Sequence, residues 1–365
     1  MTNEAAGNPR EPNTMAKPPL VAISILNWNG WPDTLECLRS IQALDYPHYL
    51  MIVVDNGSRN DSVARIKEWA ARNLGALHLL VEYSQAVALA GGEDPRESAL
   101  EGLPPSNKMV LICNEENLGY TGGNNVAIHY ALTRRRPAYY VFLLNNDATV
   151  APDCLSELVR ADQQADAGVV GATIFNATRQ RVAAAGITPD DLYWGVLSRW
   201  IPRWREGKGD ILDTFGPQGC AVMLRSDALR AVRKSRGEYL ESRLFMYWDE
   251  LSFAHAARQA GYKAVVATRA TACHKSRRGP GGKSGPSLYY ISRNRIHVAR
   301  EILPTRLKLL FHLVHTPVVL AQSARNLLRQ RPDFARALVC GLLDGYRGVY
   351  GKWKFHDQEL AKTVK

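Results

Sequence analysis

The strongest constraint on this chain is a series of short, almost uninterrupted apolar runs: Leu20–Leu26, Leu50–Asp55, Leu77–Tyr83, Met109–Cys113 and Tyr139–Leu144. A strand with one face in water alternates apolar and polar residues. A run without alternation has both faces covered, as in a parallel sheet between two layers of helix. Helical stretches separate the runs. Thr34–Leu44 carries Leu35, Leu38 and Ile41 at helical spacing, with Asp33 expected as the N-cap. Asp61 and Ser62 open a second helix, to about Arg72, and Pro152–Ala165 forms a third. Strand and helix alternate through residue 165, which predicts an α/β fold with a mostly parallel central sheet. Beyond it the pattern is mixed, with short strands expected at Ala221–Leu224 and Ala264–Ala267. Arg277–Pro286 reads as a Gly/Pro/basic loop and Leu288–Tyr350 as mostly helical.

Three segments fall outside this alternation. Residues 1–19 are polar and broken by Pro9, Pro12, Pro18 and Pro19, and read as a disordered leader. Residues 84–108, with Gly91-Gly92, Pro95 and Pro104-Pro105, read as an exposed insertion. Residues 276–365 read as a basic helical C-terminal extension. The segment 275–365 holds 18 Lys and Arg against 5 Asp and Glu, a local charge of +13, which leaves −2 on the first 274 residues. That asymmetry suggests an anionic partner: a membrane surface, a phosphorylated ligand or a nucleic acid. No apolar run reaches the roughly 18 residues of a membrane span, and no secretory signal pattern is present. The six cysteines are widely spaced with no Cys-x-x-Cys pair, so they read as buried thiols in a reducing, cytoplasmic compartment.

Ligands of open α/β sheets bind beyond the carboxyl ends of the strands. Four runs end in short polar turns: Asn27-Trp-Asn-Gly30, Asp55-Asn-Gly-Ser58, Asn114 with Asn117-Leu-Gly-Tyr-Thr-Gly-Gly-Asn-Asn125, and Asn145-Asn-Asp147. Ordinary turn chemistry accounts for any one of them. Four along one sheet edge point to a ligand site. Gly281-Gly-Lys-Ser284 mimics the end of a P-loop, but Arg277 stands where its first glycine is required.

The order and spacing of these motifs resemble glycosyltransferase family 2, nucleotide-sugar transferases of the glycosyltransferase-A fold, and within it the rhamnosyltransferase-like branch. The resemblance covers about residues 20–275, the expected catalytic domain. It implies that Asp55, with Asn27 in the same pocket, contacts the nucleobase or ribose, where a carboxylate accepts from imide N–H or sugar hydroxyls. It implies that Asn117, Gly122, Gly123 and Asn124 approach the donor and that Asn146 lies with them, glycines letting backbone amides come close to phosphate. Asp147 matches the last residue of the family's Asp-x-Asp metal motif, here Asn145-Asn146-Asp147. One carboxylate suits Mn²⁺ or Mg²⁺ shared with a diphosphate and water. His274 matches the histidine that completes the metal site.

Phe245-Met-Tyr-Trp-Asp-Glu-Leu-Ser-Phe253 resembles the family's aromatic–acid–acid helix start. It implies that Glu250 is the general base and Asp249 its neighbour at the acceptor; Ser252 stands where the family usually has a further acid. The implied reaction is inverting transfer from a nucleoside diphosphate sugar, with dTDP-rhamnose favoured and a UDP-sugar next, to a glycan or lipid-linked acceptor in cell-surface polysaccharide biosynthesis. Thr305–Arg331 mixes leucines with basic residues, as a helix lying on anionic lipid at the inner face of the cell membrane would. Two other readings carry over: a non-catalytic nucleotide-sugar-binding subunit, and a nucleic-acid-binding protein using the tail. No nucleic-acid motif supports the last, and no nucleic-acid partner is expected.

Overall fold

The computed structural model describes residues 17–75, 77–176, 182–184, 186–187, 189–193, 209–275 and 284–355. The leader expected over residues 1–19 therefore lies, to residue 16, outside the described residues, as does most of the 277–286 loop.

Eleven strands among the described residues form one sheet. In chain order the elements are β1 (Val21–Asn27), α1 (Trp31–Gln42), β2 (Tyr49–Asp55), α2 (Ser62–Asn73), β3 (Leu79–Ser84), α3 (Gln85–Leu89), α4 (Asp94–Glu101), β4 (Lys108–Cys113), α5 (Gly119–Thr133), β5 (Tyr140–Asn145), β6 (Ala148–Val150), α6 (Cys154–Ala165), β7 (Gly168–Asn176), β8 (Val182–Ala184), β9 (Ile211–Asp213), β10 (Ala221–Arg225), α7 (Ser226–Arg236), α8 (Asp249–Gln259), β11 (Lys263–His274), α9 (Gly285–Ile302), α10 (Thr305–Leu328) and α11 (Pro332–Arg347). The sheet runs β3-β4-β2-β1-β5-β10-β7-β11-β6. The five strands from β3 to β5 are parallel, β10 is antiparallel to both neighbours, and β7 and β11 are again parallel.

The apolar runs became strands because both sheet faces are covered. Ile23, Met51, Val53, Leu111 and Phe142 pack under α1, α2 and α6. Ala22, Ile52, Val54, Val110 and Leu143 pack on the other side against α5, α7 and α8. The α/β fold with a mostly parallel sheet is thus as expected. Residues 84–108, expected as an exposed insertion, form α3 and α4 with Ala88, Glu97 and Leu100 buried, and two further local expectations change. The first helix begins at Trp31 with Gly30 as its cap, so Asp33 sits inside the first turn; Pro32, whose fixed φ suits that turn, sets the start. The strand expected at Ala264–Ala267 extends to His274 through an irregularity between Ala267 and Thr271, which carries it past the sheet's interior to pair with β6.

The C-terminal helices pack on α8 and the loop before it. Ile296, Leu303, Phe311, Val319, Leu338 and Leu342 form one apolar cluster with Leu244 and Leu251. Gly341 of α11 lies where a Cβ would fall 2.4 Å from the Tyr289 carbonyl, so glycine there lets α9 and α11 touch backbone to backbone. No helix among the described residues is long and apolar enough to cross a membrane.

Candidate active site

Strand register assembles the first part of the site. Asn27 lies opposite Asp55 and Leu26 opposite Asn145, so three strand ends finish at one level. Asn27 is fully buried and donates from Nδ2 to Asp55 Oδ2 at 2.7 Å. Its Oδ1 accepts from Thr34 Oγ1 at 2.9 Å and from the Gly30 amide at 3.2 Å. The Ser58 amide donates to the other Asp55 oxygen at 2.9 Å. The carboxylate, 2% exposed, is thus oriented by Asn27 and the Asn-Gly-Ser turn, with one lone-pair direction left on each oxygen. Asn146 donates to Thr34 Oγ1 (3.1 Å) and to the Gly30 carbonyl (3.3 Å), extending the same network to β5.

The Asn117–Asn125 motif is the start of α5, and much of it faces inward. Asn117 Oδ1 accepts from Asn56 Nδ2 (3.0 Å) and from the Gly119 amide (2.9 Å). A Cβ on Gly123 would meet Leu26 Cδ1 at 2.4 Å, and one on Gly122 would meet Leu118 Cβ at 2.9 Å. Asn124 is buried, accepting from Ser24 Oγ (2.9 Å) and donating to the Tyr120 carbonyl (3.0 Å). Gly119, at φ +76°, must be glycine for a second reason: a Cβ would fall 2.4 Å from the Phe245 carbonyl. The motif therefore fastens α5 to β1 on one side and to the Phe245 loop on the other.

The pairing of β11 with β6 sets His274 across from Ala148 and so beside Asp147. His274 Nε2 lies 3.0 Å from Asp147 Oδ1 and 3.4 Å from Asn145 Nδ2. The Asn145 Oδ1 atom is buried without a hydrogen-bond partner. Buried carbonyl oxygens are seldom left so. One carboxylate and one imidazole form an O/N donor pair that fits a divalent cation shared with other ligands, and the orphaned Asn145 oxygen lies on a side chain that contacts the same histidine through its Nδ2. Among the described residues no group of three or more His, Cys, Asp and Glu completes a cage.

The acids of the second half begin α8. Their approach is strained: Phe245, Tyr247 and Trp248 all have positive φ, 68° to 69°. Phe245, at ψ −54°, centres a rare positive-φ γ-turn closed by the Met246 amide on the Leu244 carbonyl at 2.8 Å. Bulky residues in such conformations cost about 1–3 kcal/mol each and persist where surroundings enforce them, commonly at functional sites. Asp249 and Glu250 then occupy the first turn of α8, where the exposed amides favour negative charge.

A narrow cavity against both acids is lined by Tyr120, Leu143, Pro217, Gly219, Val222 and Phe253. Burial among these groups pushes the Asp249 carboxyl well above its ordinary range, and the neighbouring Glu250 charge adds to the shift. Burial also raises Glu250, while the hydrogen bond from Asp249 opposes the rise. Both carboxyls are raised by the same burial, so the pair holds on to a proton that two exposed carboxylates would release. The Cys220 thiol links the two halves. It is pushed up to about 12, first by burial and then by the charges of both Asp147 and Glu250. Its carbonyl accepts from the Asn145 amide at 2.9 Å.

Four features have contacts that the sequence motifs did not assign. Tyr120 donates to the Gly219 carbonyl at 2.7 Å beside Glu250, its motif position having suggested only a turn. Ser58 braces both Asn27 and the Asn29 amide. Ser252 is tied to Glu241 and Arg236, with Glu301 3.2 Å away, on a different face of α8 from Glu250. Arg293 and Asn294, inside a segment that reads as a basic helical tail, hold the strained loop.

Comparison with known proteins bears on the family and the fold. The profile of "Glycosyl transferase family 2" matches residues 22–84 and 93–231. The low-salt glycan biosynthesis hexosyltransferase Agl10 of Haloferax volcanii is 23% identical over 247 residues, 65% of this chain and 75% of that protein. The mannosyltransferase PcManGT of Pyrobaculum calidifontis, solved with GDP-Man and Mn²⁺, superposes with a TM-score of 0.52 at 15% identity, covering 92% of this chain and 88% of that one. TarS of S. aureus, solved with UDP-GlcNAc, gives 0.50 at 12% identity over 88% and 81%. These two likenesses establish a shared glycosyltransferase-A fold. With a profile match that takes in β1, β2, the α5 motif and the Asn-Asn-Asp turn, the chain belongs to glycosyltransferase family 2.

Proposed function

We propose that this chain is an inverting glycosyltransferase that moves a sugar from a nucleoside diphosphate donor to a hydroxyl of a glycan or lipid-linked acceptor in cell-surface polysaccharide synthesis. The donor we favour is dTDP-rhamnose, from the motif resemblance. The observation that carries the reading is the convergence of Asp147 and His274 with the Asp249–Glu250 pair around Cys220. One side holds donors for a divalent cation that would neutralise a diphosphate, and the other a buried carboxyl pair able to take up a proton.

Asp55 takes the nucleoside, with Asn27 fixing its orientation; Asn117, Gly122, Gly123 and Asn124 fasten α5 behind the donor side, and Asn146 ties β5 to the Asn27 network. Asp147 and His274 would hold Mn²⁺ or Mg²⁺. Such an ion supplies charge neutralisation for the departing diphosphate. Glu250 accepts the proton of the acceptor hydroxyl as that oxygen attacks the anomeric carbon, while Asp249, pushed toward its neutral form, steadies Glu250. A single base and no protein nucleophile give inversion. Agl10 is named for glycan biosynthesis and PcManGT was solved with GDP-Man and Mn²⁺, which supports a nucleotide-sugar reaction with a divalent ion. The test is transfer by the purified chain across dTDP-, UDP- and GDP-sugars with Mn²⁺ or Mg²⁺. Turnover of dTDP-rhamnose is the expected result, and no turnover of any donor contradicts the reading.

Nucleotide affinity depends on Asp55 separately from the chemistry. Asp55→Asn keeps the side chain's shape for Asn27 but removes its charge. Loss of a charge-assisted contact, worth about 1.5–3 kcal/mol, should appear in calorimetry with the free nucleoside diphosphate. Unchanged affinity places the base pocket elsewhere.

The tail supports peripheral contact with anionic lipid. Leu309, Leu313, Leu320, Leu327 and Leu328 are exposed along one face of α10, with Arg306, Arg325 and Arg329 exposed beside them. Point substitution is the right test, because removing α10 and α11 would uncover Leu244 and Leu251. The chain should sediment with anionic vesicles more than neutral ones, and Leu313→Ser with Leu320→Ser should weaken that binding. Equal binding to both vesicle types contradicts the electrostatic part.

A further inference from the structure

The base loop of this enzyme is held from a helix that lies outside the motif-bearing sheet. Each residue from Leu244 to Trp248 meets α9. The Asn294 Nδ2 group lies within hydrogen-bond distance of three carbonyls: Leu244 at 2.9 Å, Met246 at 2.7 Å and Tyr247 at 3.1 Å. Arg293 donates from Nη2 to the same Leu244 carbonyl (2.9 Å) and from Nε to Asn294 Oδ1 (2.8 Å). That second bond fixes which way the Asn294 amide faces, oxygen toward Arg293 and N–H groups toward the loop. Around these, Tyr247 donates to Ser287 Oγ (2.9 Å), the Trp248 indole donates to the Ile291 carbonyl (3.2 Å), and Phe245 stacks on Tyr290 at 5.2 Å. Arg293 and Asn294 are both fully buried.

We infer that Asn294 is a positioning residue for the transfer reaction: by sharing its two N–H donors among three carbonyls of the strained loop it holds the turn that aims Asp249 and Glu250 at the acceptor. The inference rests on Glu250 being the base. It follows from geometry. A loop with three positive-φ aromatic residues has no conformational preference for this shape, so the shape must be imposed by partners. Thr121, whose amide donates to the Phe245 carbonyl at 3.3 Å, grips the loop from α5. Asn294 grips it from the opposite side and reaches the carbonyls flanking the γ-turn.

Asn294→Ala and Asn294→Ser test the inference. In Asn294→Ala the loop loses its donor, and a misplacement of about 1 Å should lower kcat about 10²-fold with nucleotide affinity unchanged. Asn294→Ser, which can still serve one carbonyl, should fall between Asn294→Ala and the natural chain. Water reaching a relaxed loop should also move the acid limb of the kcat profile to lower pH, which a simple loss of folded protein would not do. Glu250 faces Asp249, Asp191, Tyr120, Tyr247 and Cys220, and none of these is altered by the substitution. Hydrogen exchange read without any substrate should show protection lost in 244–250 and kept in the sheet, which separates this inference from the choice of reaction. Unchanged kcat with an unchanged acid limb overturns the inference. So does unchanged exchange in 244–250, or failure of both variants to fold.

Discussion

Glu250→Gln is expected to lower sugar transfer by about 10²–10⁴-fold while leaving affinity for the nucleoside diphosphate intact. The glutamine keeps the size of the side chain but cannot take the acceptor's proton. Asp249→Asn should be milder. Burial and the neighbouring Glu250 charge push Asp249 toward its neutral form, and an asparagine there still donates to Glu250. The pH dependence follows from the raised carboxyl of Glu250. Transfer needs it ionised, so activity should fall as pH drops through that raised value, higher than for an exposed glutamate. Stability runs in the opposite sense. A carboxyl raised in the folded state contributes stability below its unfolded pKa and loses it as pH rises through the folded value. Asp249→Asn removes that loss, and should raise the melting temperature more at pH 8 than at pH 4. If Glu250→Gln transfers normally and Asp249→Asn is dead, the base is Asp249.

Asp147→Ala should cost about 10²–10³-fold in transfer, and His274→Ala should also impair it, because the cation that would neutralise the leaving diphosphate loses its ligands. Treatment with excess EDTA should abolish transfer in the natural chain, with recovery on adding Mn²⁺ or Mg²⁺. Binding can be read without turnover: Mn²⁺ titration followed by paramagnetic relaxation should show weaker uptake by Asp147→Ala. Full activity in EDTA contradicts the assignment. Asn145→Leu offers a sharper probe of the orphaned amide oxygen, since it removes the donor while leaving Asp147 and His274 in place.

The sheet edge was legible because burial on both faces writes itself as continuous apolar runs, and the residue after each run is then at the carboxyl end. Asn27, Asp55 and Asn145 were found that way, and register alone brings them level. β7 was harder to read. Gly168 and Gly171 weaken its pattern, and glycine is needed at 171 because a Cβ there would fall 2.2 Å from the Pro217 ring. The extension of β11 to His274 depends on a mid-strand irregularity that no periodicity announces. The aromatic run before Asp249 was visible, but its left-handed backbone was not, because Phe, Tyr and Trp are residues that local preference would place elsewhere. The grip of Asn294 was hidden for a related reason. Its partners are backbone carbonyls 47 to 50 positions away, and carbonyls carry no residue identity.

The central claim is direct displacement by an acceptor hydroxyl with Glu250 as its base. It is tested most directly by NMR of the glycoside that the purified chain forms from dTDP-rhamnose of known anomeric configuration, with the one-bond C1–H1 coupling reading the product. The account predicts transfer with the opposite configuration at the anomeric carbon, lost in Glu250→Gln. A product with the donor's own configuration, or normal transfer by Glu250→Gln, would contradict it.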